Sequence, residues 1–371
     1  MNDAKRMVVL TGGGDAPGLN AVLYALVTTA EAHGVTCLAS EDGFEGLIQG
    51  KLSPLDSKRV QGIASLGGSV IGCSNRANPF AYPHRRSDGS LGTEDVSARV
   101  LDTLSREKID VLVALGGDGT MAMMSRFGPM GVKTLGVPKT IDNDLAATDV
   151  TFGFQSAVDF ATLAIDRIHT TAAAHDRVMI VEVMGRYAGW IALESGLAGG
   201  AHAIVLPEFA YEPEMIAAKI QERAAMGEHY SIVVISEGAR PVGGDHAILK
   251  LMPEGHLPRL GGAGERLARA LEVLVPDHEV RVTVLGHLLR GGSPCASDRV
   301  LALRFGVEAA HAVLRDERDV MVSLRNGVVC TVPLAEAVGR NRFVQRDTDT
   351  LTAARALGIS FGVDWESPKQ S

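Results

Sequence analysis

Two carboxylates and an amide lie within three residues of one another in the segment 138–144, PKTIDND. One carboxylate, Asp142 or Asp144, could act as a general base towards a hydroxyl group, and the other could steer a metal ion. Lys139 stands beside them and could stabilise charge on a transferring phosphoryl group. A surface turn can have the same composition. The segment follows an apolar strand, however, and this favours a catalytic role in a cleft at the end of that strand.

Two glycine-rich segments also follow apolar stretches: TGGGDAPGLN at 11–20 and GGDGT at 116–120. Glycine lets the backbone approach a phosphate closely, and the helix that follows offers free N–H groups. The first segment has neither the Rossmann nor the P-loop spacing. Asp118 lies between glycines and could reach a metal ion held on phosphates. Either segment could instead be a tight turn, and GGDGT occurs in outline in NAD kinases and lipid kinases.

A group of cationic side chains accompanies the predicted strands. They lie at strand ends or just beyond them: Arg177, Arg186, Arg281, His287 and Arg290. A single arginine beside a strand is usually solvated, but several along one rim of a sheet predict a polyanionic substrate. Glu237, at another strand end, could accept hydrogen bonds from sugar hydroxyl groups.

The elements that must position these groups repeat as strand, glycine-rich turn and helix. Short apolar strands are predicted at 7–10, 109–115, 178–183, 231–236 and 281–285. Continuously apolar strands are typical of parallel sheets covered by helices on both faces. Their alternation with helices predicts a doubly wound α/β fold, whose ligands bind at the carboxyl ends of the strands. The segments 79–93 and 240–264, rich in turn-forming residues, are predicted surface loops.

Composition narrows the class of protein. The 371 residues, 46% hydrophobic and 22% charged, fit two domains or one large one. The formal net charge of −8 argues against a broad nucleic-acid or membrane surface. No run approaches the roughly 18 apolar residues of a membrane helix, and the first residues lead directly into a strand without a signal sequence, which predicts a cytoplasmic protein. The four cysteines match no metal or redox motif and are predicted to be reduced.

Six motifs occur in order along the chain: GGGDAPGLN, GGDGT, PKTIDND, VEVMGR, SEGA and VLGHLLRGGSP. Their order and spacing resemble the 6-phosphofructokinase family from about residue 7 to residue 310. The resemblance implies an α/β fold of two doubly wound parallel-sheet (Rossmann-like) domains, with the active site in the cleft between them. One domain would hold 1–153 plus 290–338 and bind ATP and Mg²⁺. The other would hold 154–289 plus 339–371 and bind the sugar phosphate.

The implied reaction transfers a phosphoryl group from ATP, with Mg²⁺, to the 1-hydroxyl of fructose 6-phosphate, a step of glycolysis. The resemblance places the donor-binding groups at Gly13, Arg76, Gly117, Asp118, Gly119 and Thr120. Asp118 would bind the metal, and Arg76 would bridge the donor and the transferring phosphate. Asp142 would be the catalytic base, assisted by Arg76 and Lys139.

The resemblance also specifies the acceptor side. The implied sugar-phosphate contacts are Thr140, Ile141, Asp142, Met184, Gly185, Arg186, Glu237, His287 and Arg290. Family members insert two further arginines from a neighbouring subunit, and Arg177 and Arg281 match them. The resemblance therefore implies a homo-oligomer, a dimer or a tetramer, in which these two arginines are donated across subunits.

Two positions bear on the identity of the phosphate donor, and they favour different donors. Pyrophosphate-using members share Lys139, where common bacterial ATP enzymes carry glycine. Those members usually carry aspartate at the position of Gly119, where its side chain would crowd and repel the α-phosphate of a nucleotide. Because steric exclusion is harder to evade than an added cation, ATP is the favoured donor. A pyrophosphate-dependent fructose 6-phosphate 1-phosphotransferase is the alternative.

Two further expectations concern the acceptor and regulation. The motifs specify the phosphate end of the sugar better than its ring, so sedoheptulose 7-phosphate is also compatible with them. A non-catalytic homologue would be expected to lack Asp118 or Asp142, and both are present. The effector-binding arginines of common bacterial members correspond to Tyr24, Thr28, Leu66 and His169. These side chains cannot grip phosphate as arginine does, so no response to ADP or phosphoenolpyruvate is predicted through that site.

Overall fold

The computed structural model describes residues 4–86, 90–250 and 259–365. Its strands are β1 (Arg6–Thr11), β2 (Thr36–Ser40), β3 (Leu52–Pro54), β4 (Tyr82–Arg85), β5 (Leu91–Glu94), β6 (Val111–Gly116), β7 (Thr134–Pro138), β8 (Val178–Val183), β9 (Ala203–Val205), β10 (Ser231–Ser236), β11 (Ile248–Lys250), β12 (Arg259–Leu260), β13 (Val280–Val284), β14 (Val320–Arg325) and β15 (Val328–Pro333). Its α-helices are α1 (Leu19–Ala32), α2 (Phe44–Gln49), α3 (Ser97–Arg106), α4 (Asp118–Phe127), α5 (Phe154–Ala174), α6 (Trp190–Ala198), α7 (Pro213–Ala225), α8 (Ala263–Leu274), α9 (Ala296–Leu314) and α10 (Asp349–Ala356). Short 3-10 helices occupy Ile63–Ser65, Gly128–Met130, Gly286–Arg290 and Leu334–Glu336.

The larger sheet has seven strands in the order β15-β14-β7-β6-β1-β2-β3. The five central strands, from β14 to β2, are mutually parallel, and an antiparallel strand flanks them on each side. Alternate residues of β1 face opposite helical layers. Met7 and Val9 pack in one cluster with residues of α1 and α9, while Val8 and Leu10 pack with residues of α3 and α4. Burial on both faces explains why the central strands are continuously apolar.

The smaller sheet has four parallel strands in the order β13-β8-β10-β9. Val178 pairs with Ser231 on one side and with Val280 on the other. Helix α5 packs against β8 and β10, and α8 packs against β8 and β13. The molecule therefore contains two mainly parallel sheets, each covered by helices in a doubly wound arrangement, which confirms the predicted fold class. Within the described residues no helix is both long and apolar enough to cross a membrane.

The chain passes from one sheet to the other and back. The larger sheet takes its strands from residues 6–138 and 320–333, and the smaller sheet from residues 178–284. Helix α9, which lies between these stretches in sequence, packs closely on α1. A Cβ at Gly306 would lie only 2.5 Å from the carbonyl oxygen of Val22, so glycine permits the close approach. The domain boundaries at 153/154, 289/290 and 338/339 stay a prediction.

The predicted strands match the observed ones to within two residues at each end, but the two predicted loops are partly wrong. Segment 79–93 contains the antiparallel pair β4 and β5. Segment 240–264 contains the short antiparallel pair β11 and β12. Residues 87–89 and 251–258 lie outside the described residues. Turn-forming residues marked these segments as connections between the main elements, but they do not exclude a small hairpin within a connection.

Candidate active site

Three parallel strands that are neighbours in the larger sheet, β7, β6 and β1, end at the candidate site. The backbone N–H of Lys139 donates to the carbonyl oxygen of Gly116 at 2.9 Å, and Gly12 N–H donates to Leu115 O at 2.8 Å. The Lys139 ammonium donates to Gly14 O. The three segments singled out in the sequence are therefore joined by hydrogen bonds at the carboxyl edge of one sheet.

The first glycine-rich segment is supported by a second loop. Gly13 has φ +76°, a left-handed conformation that glycine adopts without strain. Its N–H donates to Ser74 O at 3.0 Å, and Gly12 forms a β-bridge with Ser74. Arg76 lies two residues further along this second loop and is exposed. The loop thus places Arg76 beside the predicted phosphate-binding glycines.

The second glycine-rich segment forms the N-terminus of α4. Gly117 is its N-cap and Asp118 its first residue. Asp118 Oδ1 is buried and has no hydrogen-bond partner. Gly119 is exposed, and a Cβ there would meet no protein atom within 4 Å. Thr120, by contrast, is buried, with its side chain against the glycines at the ends of β1 and β6, so any donor contact of Thr120 is restricted to its backbone.

The PKTIDND segment is held by its own side chains. Thr140 Oγ1 accepts a hydrogen bond from Asp142 N–H at 3.1 Å and lies 3.3 Å from Asp144 Oδ1, to which it donates. Thr151 Oγ1 donates to Thr140 O at 2.7 Å, and Thr151 N–H donates to the amide oxygen of Asn143 at 3.1 Å. These bonds hold the backbone segment from which the Asp142 side chain projects. The Ile141 side chain is fully buried, so Ile141 can contact a sugar only through its backbone.

Asp142 is the predicted catalytic base. Its Oδ1 is buried and makes no hydrogen bond, an arrangement that costs on the order of 1–3 kcal/mol. Burial raises the pKa of Asp142, and Glu237 raises it further, while the cations Arg290, Lys139 and Arg186 lower it. Unpaired buried carboxylates with opposing influences of this kind concentrate at functional sites.

Lys139 and Asp144 complete the charge arrangement around Asp142. Burial and the nearby Arg290 lower the pKa of the Lys139 ammonium to about 8, against the opposing effect of nearby acidic groups. Burial and the charge of Asp142 raise the pKa of Asp144 to about 6, with a smaller increase from Asp118. Five ionisable groups, which follow the three strands β6, β7 and β13, therefore interact in one place: Asp118, Lys139, Asp142, Asp144 and Arg290.

On the other side of the site, two turns of the smaller sheet pack backbone to backbone. Gly185 has φ +137°, and a Cβ there would lie 2.4 Å from Ser236 Oγ. A Cβ at Gly238 would lie 1.9 Å from the carbonyl oxygen of Arg186. Burial raises the pKa of Glu237, and Arg186 opposes that rise. These turns bring Glu237 and Arg186 together, whereas the Met184 side chain is buried in the core.

Arg290 reaches from the turn that follows β13 to the first glycine-rich segment. It ends the 3-10 turn Gly286–Arg290, on which His287 is exposed. Its guanidinium donates to Asp15 O at 3.2 Å, and Nη1 lies 2.6 Å from the position that a Cβ on Gly14 would take. Arg290 also affects the pKa of Asp142, Lys139 and Glu237. It is therefore the cation that touches both halves of the site.

Arg177 and Arg281 do not lie at this rim, and the prediction of a single cationic rim is wrong for them. Arg177 precedes β8, and Arg281 is the second residue of β13, so both lie at the amino ends of parallel strands. Both form ion pairs with Glu279. The remaining three cationic groups, Arg186, His287 and Arg290, follow strands instead of preceding them, and Arg186 and Arg290 lie close enough to lower the pKa of Asp142.

Sequence reasoning missed one buried acid close to Glu237. Glu182 lies in β8 and is only 2% exposed. Its carboxylate accepts hydrogen bonds from Gly262 N–H at 3.2 Å and Gly264 N–H at 2.8 Å, at the start of α8. Its charge contributes to the raised pKa of Glu237. The available signal was a glutamate in the middle of an apolar strand, but its partners are about 80 residues away in sequence.

Comparison with known proteins gives the family. The family model described as Phosphofructokinase matches residues 6–313. The chain is 43% identical over 363 residues to ATP-dependent 6-phosphofructokinase 2 of Clostridium perfringens, which covers 97% of this chain and 99% of that protein. It is 46% identical over 341 residues to the pyrophosphate–fructose 6-phosphate 1-phosphotransferase of Streptomyces coelicolor, covering 91% of this chain and 95% of that protein.

A solved structure agrees with these relatives. Phosphofructokinase of Pichia pastoris in the T-state aligns with a TM-score of 0.78 at 29% identity. The alignment covers 97% of this chain and 37% of that one, so this chain spans little more than a third of the length of the yeast protein. Sequence relatives of equal length and a shared fold lead to one conclusion: this chain belongs to the phosphofructokinase family.

Proposed function

We propose that this protein is an ATP-dependent 6-phosphofructokinase, which phosphorylates fructose 6-phosphate at its 1-hydroxyl to give fructose 1,6-bisphosphate in glycolysis. The observation that carries the proposal is Asp142 itself. Its Oδ1 is buried and unpaired, and the cations Lys139, Arg186 and Arg290 lie close enough to lower its pKa. An acceptor hydroxyl at Asp142 would therefore lie among the positive groups that a phosphoryl transfer requires.

The acceptor is held from its two ends. His287 and Arg290 bind the 6-phosphate, and Glu237 accepts hydrogen bonds from sugar hydroxyl groups. Asp142 then takes the proton of the 1-hydroxyl as that oxygen bonds to the γ-phosphorus of ATP. The bond from this phosphorus to the leaving ADP breaks in line with the attack. Positioning and charge stabilisation supply most of the rate.

The donor side fits Mg²⁺ bound together with ATP. Asp118 Oδ1 has no partner at the N-terminus of a helix, where ATP phosphates would also be favoured. Among the described residues no group of three or more His, Cys, Asp or Glu side chains is arranged to hold a metal ion. Mg²⁺ in kinases commonly uses one or two carboxylates with phosphate oxygens and water, so Asp118 would bind it on the donor. When bound, Mg²⁺ supplies positive charge to the donor phosphates, and Arg76 and Lys139 add to it.

Gly119 supports ATP over pyrophosphate. The open space around its Cβ position lies next to Asp118, where the α-phosphate of a nucleotide has room. The pyrophosphate-dependent alternative is favoured by Lys139, whose ammonium lies 3.3 Å from the Cβ position of Gly13, and by the Streptomyces coelicolor relative. The two donors are distinguished by initial rates with ATP and with pyrophosphate, each measured with fructose 6-phosphate and Mg²⁺. A higher kcat/KM with pyrophosphate would overturn the choice of donor.

The assembly proposed is a homo-oligomer, a dimer or a tetramer. Arg177 and Arg281 lie at the amino ends of β8 and β13, away from Asp142 of the same chain, which supports a role in the site of a neighbouring subunit. A cytoplasmic location is part of the same proposal. The lack of a response to ADP or phosphoenolpyruvate also stays a prediction; at one of the four positions involved, the Nε2–H of His169 donates a 2.7 Å hydrogen bond to Gly199 O.

A further inference from the structure

Asn20 ends the first glycine-rich motif, and the reaction described above assigns it no role. It is the second residue of α1 and is only 1% exposed. Its Nδ2 donates to Leu66 O at 3.2 Å and to Gly67 O at 3.1 Å, and its Oδ1 accepts from Val70 N–H at 2.9 Å. All three hydrogen bonds go to the backbone of one loop, 66–70. One buried amide thus ties this loop to the helix that follows the donor glycines.

Towards the C-terminus, loop 66–70 continues into the segment that carries Arg76. Ser69 Oγ lies 3.1 Å from Thr11 Oγ1 at the end of β1, and Thr11 Oγ1 also donates to Gly72 O. Two residues later, Ser74 O accepts the hydrogen bond from Gly13 N–H. The position of the Arg76 loop against the donor glycines therefore depends on where loop 66–70 is held.

The same loop also packs against the acceptor side. A Cβ on Gly67 would lie 2.1 Å from the carbonyl oxygen of Gly292 and 3.2 Å from its nitrogen. This is a direct contact of backbone with backbone. Gly292 is two residues beyond Arg290, whose guanidinium donates to Asp15 O. Loop 66–70 thus limits how far the turn after Arg290 can move.

We propose that Asn20 is a positioning residue which, through loop 66–70, fixes Arg76 on the donor side and the turn after Arg290 on the sugar-phosphate side. It touches neither substrate and acts only through that loop. The inference rests on the proposed function, because it assumes that Arg76 and Arg290 bind the two substrates. Asn20 would then couple the placement of donor and acceptor groups, and transfer between two bound substrates is slowed greatly by a misplacement of about 1 Å.

The test compares Asn20→Ala with the wild-type chain in steady-state kinetics with both substrates varied. The substitution leaves two carbonyl groups and one N–H of the loop without their buried partner. We expect kcat/KM to fall at least about tenfold for ATP and for fructose 6-phosphate alike, since small displacements at such sites cost large factors in rate. Hydrogen exchange of the peptides covering 66–76 and 290–293 should become faster in the same variant.

A matched control separates positioning from a general loss of stability. Thr134→Val removes the side-chain hydrogen bond from the buried Thr134 Oγ1 to Asp319 Oδ1 at 2.8 Å, at the amino end of β7 and away from the site. We expect this variant to lose stability while keeping both KM values and kcat. If Asn20→Ala behaves in the same way, with kinetic constants within about twofold of wild type, the inference is wrong.

A second variant keeps the test decisive if Asn20→Ala does not fold. Gly67→Ala pushes a methyl group against Gly292 and should raise the KM for fructose 6-phosphate more than the KM for ATP. An unchanged KM for fructose 6-phosphate would overturn the proposed link to the turn after Arg290. Failure of the proposed function is distinguishable, because the wild-type chain would then show no phosphoryl transfer while the exchange rates of 66–76 and 290–293 still report on Asn20.

Discussion

The carboxylate of Asp298 accepts two hydrogen bonds from Ser156, one from its backbone N–H and one from its hydroxyl, each 2.7 Å long. Asp298 lies on α9 and Ser156 in the first turn of α5, and the Ser156 hydroxyl also accepts a hydrogen bond from Cys295 N–H at 2.9 Å. These residues lie where the chain leaves the larger sheet and where it returns. A single buried carboxylate therefore joins the two segments in which the chain passes between the two sheets.

Replacing Asp298 with alanine should destabilise the fold strongly. Asp298 is 1% exposed, and its loss leaves the N–H and hydroxyl of Ser156 without their buried acceptor. We expect the free energy of unfolding to fall by about 3 kcal/mol, as when a buried hydrogen-bonding network is broken. Urea unfolding of wild type, Asp298→Ala and Asp298→Asn measures this. Asparagine keeps an acceptor oxygen, so a loss as large as that of alanine would contradict the explanation.

The same carboxylate should make stability depend on pH. Burial raises the pKa of Asp298, and the hydrogen bonds from Ser156 oppose that rise. A raised folded-state pKa means that the folded state binds the proton more tightly than the unfolded chain, in which the pKa is about 3.9. The stability that comes from this tighter proton binding is therefore fully present below that value and is lost as the pH rises through the folded-state pKa, whereas the hydrogen bonds from Ser156 to the carboxylate persist. Asp298→Asn should lack this loss of stability.

The substitution Asp142→Ser tests the assignment of Asp142 as the catalytic base. We expect the variant to bind fructose 6-phosphate with nearly wild-type affinity, because the phosphate-binding cations are untouched, and to lose at least about two orders of magnitude in kcat. Isothermal titration with the sugar phosphate and steady-state rates with ATP and Mg²⁺ measure the two quantities separately. A near-normal kcat would refute the assignment of Asp142.

Lys139 should set the alkaline limit of activity. Burial and Arg290 lower the pKa of its ammonium to about 8 in the free protein, and kcat/KM reports the free protein. The charge that stabilises the transferring phosphoryl group is therefore lost as the pH rises through about 8, and kcat/KM should fall there. In Lys139→Arg the cation persists far above that pH, so the fall should move to higher pH. If kcat/KM falls at the same pH in both proteins, the ionisation responsible belongs to another group.

The strands and the loops at their carboxyl ends could be predicted because both depend on local sequence. Continuously apolar runs identified β8 and β10 to the residue, and the motifs after β1, β6 and β7 meet because parallel neighbours end at one edge. The prediction of one cationic rim fails for Arg177 and Arg281 because proximity to a strand does not specify at which end of the strand a residue lies. A residue that precedes a parallel strand lies at its amino end, so the sequence already held the information needed to separate them from Arg186.

Other features could not be predicted, because they depend on contacts between distant segments. The last motif residue, Asn20, finds its partners about 50 residues later in a loop without periodic pattern. Asp298 finds Ser156 142 residues away. In both cases the sequence shows a polar residue in a buried helix position, which signals that a partner exists but not where it lies.

Subunit complementation tests whether Arg177 and Arg281 serve a neighbouring site. Both arginines are held by Glu279 at the amino edge of the smaller sheet, so each chain would complete the site of its partner and not its own. Asp142→Ser lacks the base but still donates Arg281, while Arg281→Ala keeps the base but donates nothing. In a hybrid of the two, one of the paired sites has both groups.

Mixing the two inactive variants under conditions that exchange subunits should therefore restore activity above the sum of the separate proteins. Mixing Arg281→Ala with the double variant Asp142→Ser, Arg281→Ala should restore nothing. Equal activity in the two mixtures would contradict the donation of Arg281 across subunits.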